Sequence, residues 1–356
     1  MDHNVTQGED LRYENEMLTL DAIPDIITNL IYLVSGTIGN ALVIYIYVFK
    51  LKCFNSEKYF IAVISMVDFI TCWINSTFNI ITDCMQLIFV HEEICKIMIF
   101  ITHVCPITSG TLLLVLAVQR YLLVCRPNGG QMTLGWKRVG LCSTVTFAVL
   151  CSSPVLEHYG KSIPLHVTNP SNNSFSCGIQ TNYLGSRSVI LYELFGFAYC
   201  IIVITTMYTL YMLILRQIYH QNKKQDRRHS YVNVILQKKA GQARVFVDYG
   251  ENNLKTKFCR QGNTKQSIKK LNTYRYTIMF LAITTTTVIS FVPNSLMKSF
   301  CGGNLSKVVL FLGNDMTLFR FLYHSYILNS VLNPLIYAAF DKKFRSTIQN
   351  MCKSRA

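Results

Sequence analysis

Long apolar segments alternate with polar ones along most of the chain. About 20 apolar residues are needed to cross a bilayer as a helix, and a backbone in lipid must satisfy its own hydrogen bonds, which favours helices over open strands. Only two of the apolar segments contain a charged residue, Asp68 in the second and Glu193 in the fifth. The pattern predicts seven transmembrane helices, at residues 26–49, 59–82, 97–119, 139–156, 188–215, 276–297 and 321–340.

Most connections between these segments are short, which places consecutive helices side by side in one bundle. The sequence therefore predicts an all-α membrane protein, with a seven-transmembrane-helix bundle over residues 26–340. Two connections are long. Residues 157–187 contain two strand-like stretches, 162–168 and 175–181, around a polar turn segment, and they predict an extracellular β-hairpin loop. Residues 216–275 are polar and lack strong periodicity, so we expect their middle to be flexible.

The distribution of Lys and Arg predicts the orientation in the membrane. Of the 34 basic residues, 27 lie in the segments after the first, third, fifth and seventh helices, and such segments stay cytoplasmic. Residues 1–25 then form an extracellular tail, and their acidic composition suits disorder. Acceptor sequences for N-glycosylation occur at Asn4, Asn172 and Asn304, all in segments predicted to be extracellular. We therefore expect a plasma-membrane protein whose carboxyl terminus is cytoplasmic.

The cytoplasmic carboxyl-terminal segment, residues 341–356, contains an amphipathic pattern. Phe344 and Ile348 lie four residues apart between basic residues, which predicts a helix on the membrane surface. Cys352 near its end is either a palmitoylation site or a plain thiol. In the long cytoplasmic connection, residues 227–230 resemble a site for a basophilic kinase, and a solvated run of charge is the alternative.

Composition agrees with a membrane protein. Apolar residues make up 51% of the chain and charged residues only 15%, which is not the balance of a soluble domain. The net charge of +15 is concentrated in the cytoplasmic segments. This distribution indicates solvated surfaces and contacts with anionic lipid headgroups rather than nucleic acid.

The 13 cysteines do not form a disulfide scaffold, because most lie in predicted helices, where a free thiol behaves as a small apolar side chain. Cys95 and Cys177 both lie on the oxidising extracellular side. A bridge between them would pin the hairpin over the mouth of the bundle. Cys84 and Cys301 also lie near that face, so the cysteines alone leave the pairing open.

Five polar residues lie in the middle of apolar segments: Asn40, Asp68, Ser109, Asn329 and Asn333. A polar group in lipid is costly, so we expect these side chains to face the interior of the bundle. A carboxylate beside hydroxyl and amide oxygens supplies the ligands that a small cation prefers. A hydrogen-bonded network without an ion is the alternative.

The helices carry a set of short motifs. In order, they are Gly39-Asn40, Ala62, Asp68, Gln119-Arg120-Tyr121, the segment Asn-Ser-Val-Leu-Asn-Pro-Leu-Ile-Tyr that ends at Tyr337, and Phe344 after six more residues. Together with the spacing of Cys95 and Cys177, these motifs resemble those of class A (rhodopsin-like) G-protein-coupled receptors over roughly residues 25–352. Residues 120–127, Arg-Tyr-Leu-Leu-Val-Cys-Arg-Pro, further resemble invertebrate neuropeptide receptors.

The resemblance implies a receptor that binds an extracellular ligand and activates a heterotrimeric G protein as the sixth helix moves outward. Kinases and arrestin are further partners that it implies. Arg120 would contact the G protein or hold the inactive state, Tyr208 and Tyr337 would be its active-state partners, and Pro293 would kink the sixth helix. The residues implied in coupling and activation are Arg120, Tyr121, Tyr208, Pro293, Asn333, Pro334 and Tyr337.

The resemblance also implies an allosteric sodium ion that favours the inactive state. Its implied ligands are Asp68, Ser109, Asn329 and Asn333. We expect no other cofactor and no enzymatic activity, because the helices contain no metal-ligand cluster or nucleophile–base pair at helical spacing. A transporter or channel is the alternative from another functional class, although the halves of the chain show no internal repeat.

Several positions depart from the family's pattern. Gln119 stands where an acid usually precedes the arginine, and Thr273 stands where many members place an acid on the sixth helix, so no carboxylate is apparent to pair with Arg120. A lost ionic restraint favours the open state, and we expect raised ligand-independent activity. Phe291 stands in place of the family's toggle tryptophan, and Cys200 in place of the fifth-helix proline.

The outer halves of the helices limit the ligand. Thr102 stands where receptors for biogenic amines place a carboxylate, and Ile327 where opsins place the retinal-linking lysine, so we expect neither ligand. The remaining polar and aromatic side chains, under a hairpin, suit a peptide with dispersed donors and acceptors. The alternative ligand is a lipid or small acid held by Arg320 and Lys298. Taken singly, Lys298 is explained as a side chain that extends its charged end toward the membrane surface. The predicted ligand-binding residues are Thr102, His103, Glu193, Phe291, Lys298, Arg320 and His324.

Overall fold

The computed structural model describes residues 2–51, 58–89, 91–126, 132–163, 174–243, 253–301 and 316–353. Its helices are α1 (Asp2–Asp21), α2 (Ile23–Ile44, continued by a π-helical turn at Tyr45–Lys50), α3 (Tyr59–Cys84), α4 (Glu92–Cys125), α5 (Leu134–Ser152), α6 (Val155–His158), α7 (Arg187–Ala243), α8 (Asn253–Cys301), α9 (Met316–His324), α10 (Ile327–Phe340) and α11 (Lys342–Lys353). Two strands, β1 (Tyr159–Ser162) and β2 (Ser176–Ile179), pair antiparallel between α6 and α7.

Six of these helices, α2, α3, α4, α5, α7 and α8, are long and apolar enough to cross a membrane. The seventh apolar segment is divided into α9 and α10 by a turn at Ser325 and Tyr326. The predicted seven-helix bundle is confirmed. At this turn the Ser325 hydroxyl donates to the Leu322 carbonyl at 2.7 Å, and the Ser325 carbonyl accepts from the Leu328 amide at 3.0 Å, so backbone groups of the divided segment keep hydrogen-bond partners. The Ser325 hydroxyl also donates to the Ser290 carbonyl at 2.8 Å, which joins the turn to α8.

The helices close into a ring around a shared core. Helix α2 packs against α3 and α10, α4 against α3 and α7, and α8 against α7 and α10, whereas α5 packs closely only on α4 among the described elements. The main core lies at the end that carries the basic segments and includes Ile46, Leu116, Met207 and Phe280. Large apolar side chains such as Trp73, Leu150 and Ile202 point outward, as expected where lipid surrounds the bundle.

Two glycines allow α2 to approach its neighbours. A Cβ atom at Gly36 would collide with the side chain of Cys72 on α3, and one at Gly39 would lie 3.0 Å from Pro334 on α10. Gly39-Asn40 therefore has a structural role as well as a place in the motif set. The close approach lets the Asn40 amide donate to the Ser330 carbonyl at 2.9 Å.

The amino-terminal segment differs from the disordered tail that its composition favours, because α1 is helical. The side chain of Asn15 anchors α1 to the end of α3. Its Nδ2 donates to the Cys84 carbonyl at 2.9 Å, and its Oδ1 accepts from the backbone amide of Leu87 at 3.0 Å. The prediction of disorder considered only how much apolar surface the segment can bury. It could not include the specific hydrogen bonds of Asn15. The predicted glycosylation sites, Asn4, Asn172 and Asn304, lie outside the residues whose side chains are described.

The predicted hairpin is present and its first strand starts earlier than expected, at Tyr159. Lys161 faces Cys177 across the pair, and Cys177 forms a disulfide with Cys95 on α4. This bond resolves the pairing that the cysteines alone left open. The predicted turn of the hairpin lies outside the described residues.

Helices α7 and α8 extend well beyond the apolar segments that predicted them, into the long polar connection. Apolar length marks only the part of a helix that lies in lipid, and polar residues continue a helix in water. The middle of the connection, predicted to be flexible, includes residues 244–252, which the structure does not describe.

Candidate functional site

A cavity of about 110 Å³ lies between α4, α5, α7 and α8, next to the hairpin, whose Tyr159 contacts the cavity residues His103 and Glu193. Its walls are mainly apolar and aromatic. Among the predicted ligand-binding residues, His103, Glu193, Phe291 and Lys298 line it. The wall residues that the sequence did not single out include Phe147, Tyr192, Phe195, Tyr199, Val203 and Asn294.

The charged groups of the cavity have defined partners. His103 Nδ1 lies 2.9 Å from the Ile99 carbonyl, and the Lys298 ammonium lies 3.2 Å from His103 Nε2. The same ammonium lies 5.5 Å from the centre of the Tyr323 ring, a distance suited to a cation–π contact. Glu193 is buried, and its carboxylate accepts a hydrogen bond from the Tyr159 hydroxyl at 3.0 Å.

The other predicted ligand-binding residues lie elsewhere. The Thr102 hydroxyl donates to the Ile99 carbonyl of its own helix at 2.7 Å. On α9, Arg320 contacts Asp83 at 3.5 Å, and His324 lies 3.0 Å from Asp25. These contacts join α9 to α2 and α3, so Arg320 and His324 are not brought together with Lys298 in the cavity.

In the middle of the bundle, Asp68 joins α3 to two other helices. Its carboxylate accepts hydrogen bonds from the Ser109 hydroxyl at 3.1 Å, the Ser330 hydroxyl at 2.7 Å and the Asn333 amide at 2.7 Å. Asn329, which the sequence grouped with them, instead accepts from the Thr287 hydroxyl of α8 at 2.9 Å. Ser330 therefore takes the place expected of Asn329.

Near Asp68 lie side-chain oxygen atoms that could still accept a hydrogen bond or bind a cation. Among the described residues, the side-chain oxygens of Asn40 and Asn333 are buried and have no hydrogen-bond partner. A buried acceptor left unsatisfied is costly. Carboxylate, hydroxyl and amide oxygens are ligands of hard cations, so the residues present fit the sodium ion that the sequence implied.

Arg120 lies at the opposite end of the bundle from the cavity and is only 6% exposed. Its guanidinium packs over the rings of Phe280, at 4.8 Å, and Tyr276, at 5.6 Å, both on α8. The neighbouring Gln119 is buried, and its side-chain oxygen has no partner in the described part of the chain. The side chain of Thr273, the other position that lacks an acid, lies outside the described residues.

The two tyrosines implied as partners of Arg120 differ in position. The Tyr337 hydroxyl is buried and makes no hydrogen bond to the described residues. The Tyr208 hydroxyl lies 3.3 Å from the Thr285 hydroxyl on α8. Of these two hydroxyls, that of Tyr208 is thus held by α8, the helix that contains Pro293, and that of Tyr337 is not.

Asp341, between α10 and α11, forms a polar cluster that the sequence did not predict. It pairs with Lys58 and accepts hydrogen bonds from the hydroxyls of Tyr47, at 2.5 Å, and Tyr276, at 3.4 Å. Burial alone would raise the pKa of Asp341, but the Lys58 charge and the hydrogen bonds hold this pKa below its ordinary value. Tyr276 thus ties α8 to the junction of α10 and α11, next to Arg120.

Helix α11 has the predicted amphipathic form. Phe344 is buried and stacks on Tyr47 with 5.8 Å between ring centres, and Ile348 packs on the main core. Cys352 is exposed near the end of the helix.

The family model described as "7 transmembrane receptor (rhodopsin family)" matches residues 39–337. The match extends from Gly39 to Tyr337 and includes the Asp68 cluster and Arg120. No curated protein matches the chain.

Proposed function

The chain belongs to the rhodopsin family of seven-transmembrane receptors, and from this premise we propose that it binds an extracellular ligand in the cavity and activates a heterotrimeric G protein at the end that contains Arg120. The observation that carries the proposal is the arrangement of three sites along one bundle. The cavity lies under the hairpin, the Asp68 cluster lies in the middle, and Arg120 lies against α8 at the far end. We place the receptor in the plasma membrane with its amino terminus outside.

The proposed mechanism is a shift between two arrangements of α8. This helix lines the cavity through Phe291 and Lys298, and it contacts Arg120 through Tyr276 and Phe280. A ligand that prefers one position of α8 shifts the population toward that position. Movement of the helix at Pro293 would separate Tyr276 from Asp341 and uncover Arg120 for the G protein.

The ligand class that we propose is a neuropeptide. The hairpin, held by the Cys95–Cys177 disulfide, covers a cavity that contains both a cation, Lys298, and a carboxylate, Glu193. Dispersed charges of both signs suit a peptide, whose backbone and termini need several partners. One observation favours the competing class, a lipid or small acid: most of the cavity wall is apolar.

We further propose that a sodium ion binds the Asp68 cluster and favours the inactive arrangement. Asp68 and the hydroxyls of Ser109 and Ser330 would hold it, with the unsatisfied oxygen of Asn333 completing the set. The ion would neutralise a buried carboxylate. Kinases and arrestin acting on the cytoplasmic segments, glycosylation at the three acceptor sequences and palmitoylation of Cys352 complete the proposal.

Arg120→Ala is expected to abolish G-protein activation while leaving ligand binding in place, because Arg120 lies far from the cavity. The measurement is G-protein activation in cells that express wild type or variant at matched surface density, first without ligand and then with a library of neuropeptides. Arg138→Ala, an exposed arginine on α5, is the control and should respond as wild type. A full response of the Arg120→Ala receptor would contradict the proposal.

Ligand-independent signalling of the wild type is expected to exceed that of mock-transfected cells, and Tyr276→Phe should raise it further. Gln119 replaces the usual acid, and the Tyr276–Asp341 hydrogen bond, at 3.4 Å, is a restraint on α8 that phenylalanine removes. A hydrogen bond contributes about 1 kcal/mol, so the ratio of open to closed receptor should rise roughly fivefold.

The control for this effect is Tyr219→Phe, which alters an exposed tyrosine of α7. Its basal signal should equal that of the wild type when second-messenger output is measured at equal surface expression. A Tyr276→Phe receptor no more active than this control would show that the hydrogen bond does not restrain α8. A wild-type signal at the level of mock-transfected cells would contradict the expectation drawn from Gln119.

A further inference from the structure

Lys298 is a cation that forms no direct ion pair among the described residues, although it is attracted by the charge of Glu193, which lines the same cavity. Its ammonium group lies against His103 Nε2 and near the rings of Tyr323 and Tyr326, at 5.5 and 6.0 Å from their centres. An ammonium group has three N–H donors, and His103 accepts one of them. Among the ion pairs of the described residues, none includes Lys298.

The histidine beside Lys298 is a neutral acceptor in this arrangement. Its Nδ1 donates to the Ile99 carbonyl at 2.9 Å, which leaves the lone pair of Nε2 facing the ammonium. A neutral imidazole orients a cation without cancelling its charge. Since a charge that is partly removed from water is costly until it is paired, the cavity is suited to a ligand that brings a negative group to Lys298.

The rest of the cavity indicates the other part of the ligand. Phe147 of α5 and Phe195 of α7 both line the cavity, and both side chains are exposed. Helix α5 packs closely only on α4 within the described part of the chain. The cavity therefore opens sideways between α5 and α7, through apolar walls, toward the position of the lipid.

We propose that the ligand carries one carboxylate on an apolar body, with the carboxylate bound by Lys298 and the body lying along the aromatic wall toward the opening between α5 and α7. The proposal rests on the proposed receptor function and names the chemistry of its ligand. Glu193 lines the same cavity, and its negative charge disfavours a dianion such as phosphate. The carboxylate comes either from the carboxyl terminus of an apolar peptide or from a free lipid acid.

The test measures ligand-induced changes in the melting temperature of the purified full-length receptor in lipid nanodiscs, so it does not require a G protein. One panel contains fatty acids of increasing chain length with their alcohols and amines. The other contains short peptides with an apolar, aromatic last residue, each as free acid and as carboxyl-terminal amide. The receptors are wild type, Lys298→Met, Glu193→Gln and the control Lys96→Met, whose lysine pairs with Glu92 on α4.

We expect at least one acid to stabilise the wild type and the Lys96→Met control, and its neutral or amine counterpart to stabilise them less. In Lys298→Met the apparent affinity for the acid should fall at least about tenfold, because a charge-assisted hydrogen bond is lost. In Glu193→Gln it should rise, because a like charge is removed. The unliganded Lys298→Met receptor should melt no lower than wild type, since a partly buried charge has been removed.

Stabilisation by the peptide acids alone would assign the carboxylate to a peptide terminus, and stabilisation by the fatty acids alone would assign it to a lipid; both support the proposal. Equal responses of Lys298→Met and wild type, better binding of amines than acids, or no binding by either panel would overturn it. A receptor that binds acids through Lys298 and yet activates no G protein would uphold this inference and refute the proposed function.

Discussion

A receptor in which Cys95 and Cys177 are both replaced by serine is expected to be largely lost from the cell surface and to melt well below the wild type when purified. The disulfide closes a segment with a sequence separation of 82 residues, and removal of a native bridge typically costs about 2–5 kcal/mol. The bond also fixes β2 to α4, which holds the hairpin over the cavity. We therefore expect ligand affinity to fall together with stability.

The measurement is the melting temperature of the receptor in nanodiscs, with and without a reducing agent. Reductant should lower the melting temperature of the wild type to that of the double variant and should not change the double variant. Cys84→Ser, which removes an exposed free thiol, is the control and should behave as wild type. A double variant as stable as the control, with the same ligand response, would show that the bond neither stabilises nor organises the cavity.

Sodium is expected to raise the melting temperature of the wild-type receptor, and Asp68→Asn should remove this effect completely. The asparagine keeps the size of the side chain but lacks the charge that would hold the ion. In the absence of sodium, Asp68→Asn should be as stable as wild type or more stable, because a buried charge is removed. Melting curves at constant ionic strength, with sodium exchanged for a large organic cation, measure the effect.

Two further variants separate the sodium ligands seen in the structure from those implied by the sequence. Ser330→Ala should weaken the apparent sodium affinity, because the Ser330 hydroxyl contacts Asp68. Asn329→Ala should leave it nearly unchanged, because Asn329 bonds to Thr287. A sodium response that survives in Asp68→Asn, or one that depends on Asn329 and not on Ser330, would contradict this assignment.

The apolar segments predicted the bundle well because lipid imposes one requirement on every crossing, a long apolar helix. The same requirement explains what was missed. It does not operate in water, so the polar extensions of α7 and α8 and the helix α1 had no apolar pattern to predict them. The turn at Ser325 and Tyr326 also lay inside an apolar segment, and it separates α9 from α10.

The candidate site likewise contains residues that the sequence placed correctly and residues that it did not. Asp68, Asn333 and Arg120 belong to motifs with fixed positions on continuous helices, and the structure places Asn333 beside Asp68. The ligand set was less accurate, because Arg320 and His324 lie on α9 and contact acids of α3 and α2. Contacts between residues that are distant in the sequence cannot be predicted from spacing and are seen only in the folded structure.

The Asp341 cluster is a further example of such neighbours. Tyr47 and Lys58 lie near each other in the sequence, but Tyr276 and Asp341 come from distant segments, and the first three side chains all contact the Asp341 carboxylate. No spacing pattern links them. The structure alone shows that a residue on α8 is held at this junction.

The most direct test of the receptor function uses wild type and Arg120→Ala, purified and reconstituted in liposomes, with one assay for nucleotide exchange on added G protein and one for ion flux. We expect wild type to accelerate exchange, Arg120→Ala to leave it unchanged, and neither to conduct ions above protein-free liposomes. Ion flux through the wild type without any acceleration of exchange would contradict the receptor function and would assign the protein to transport.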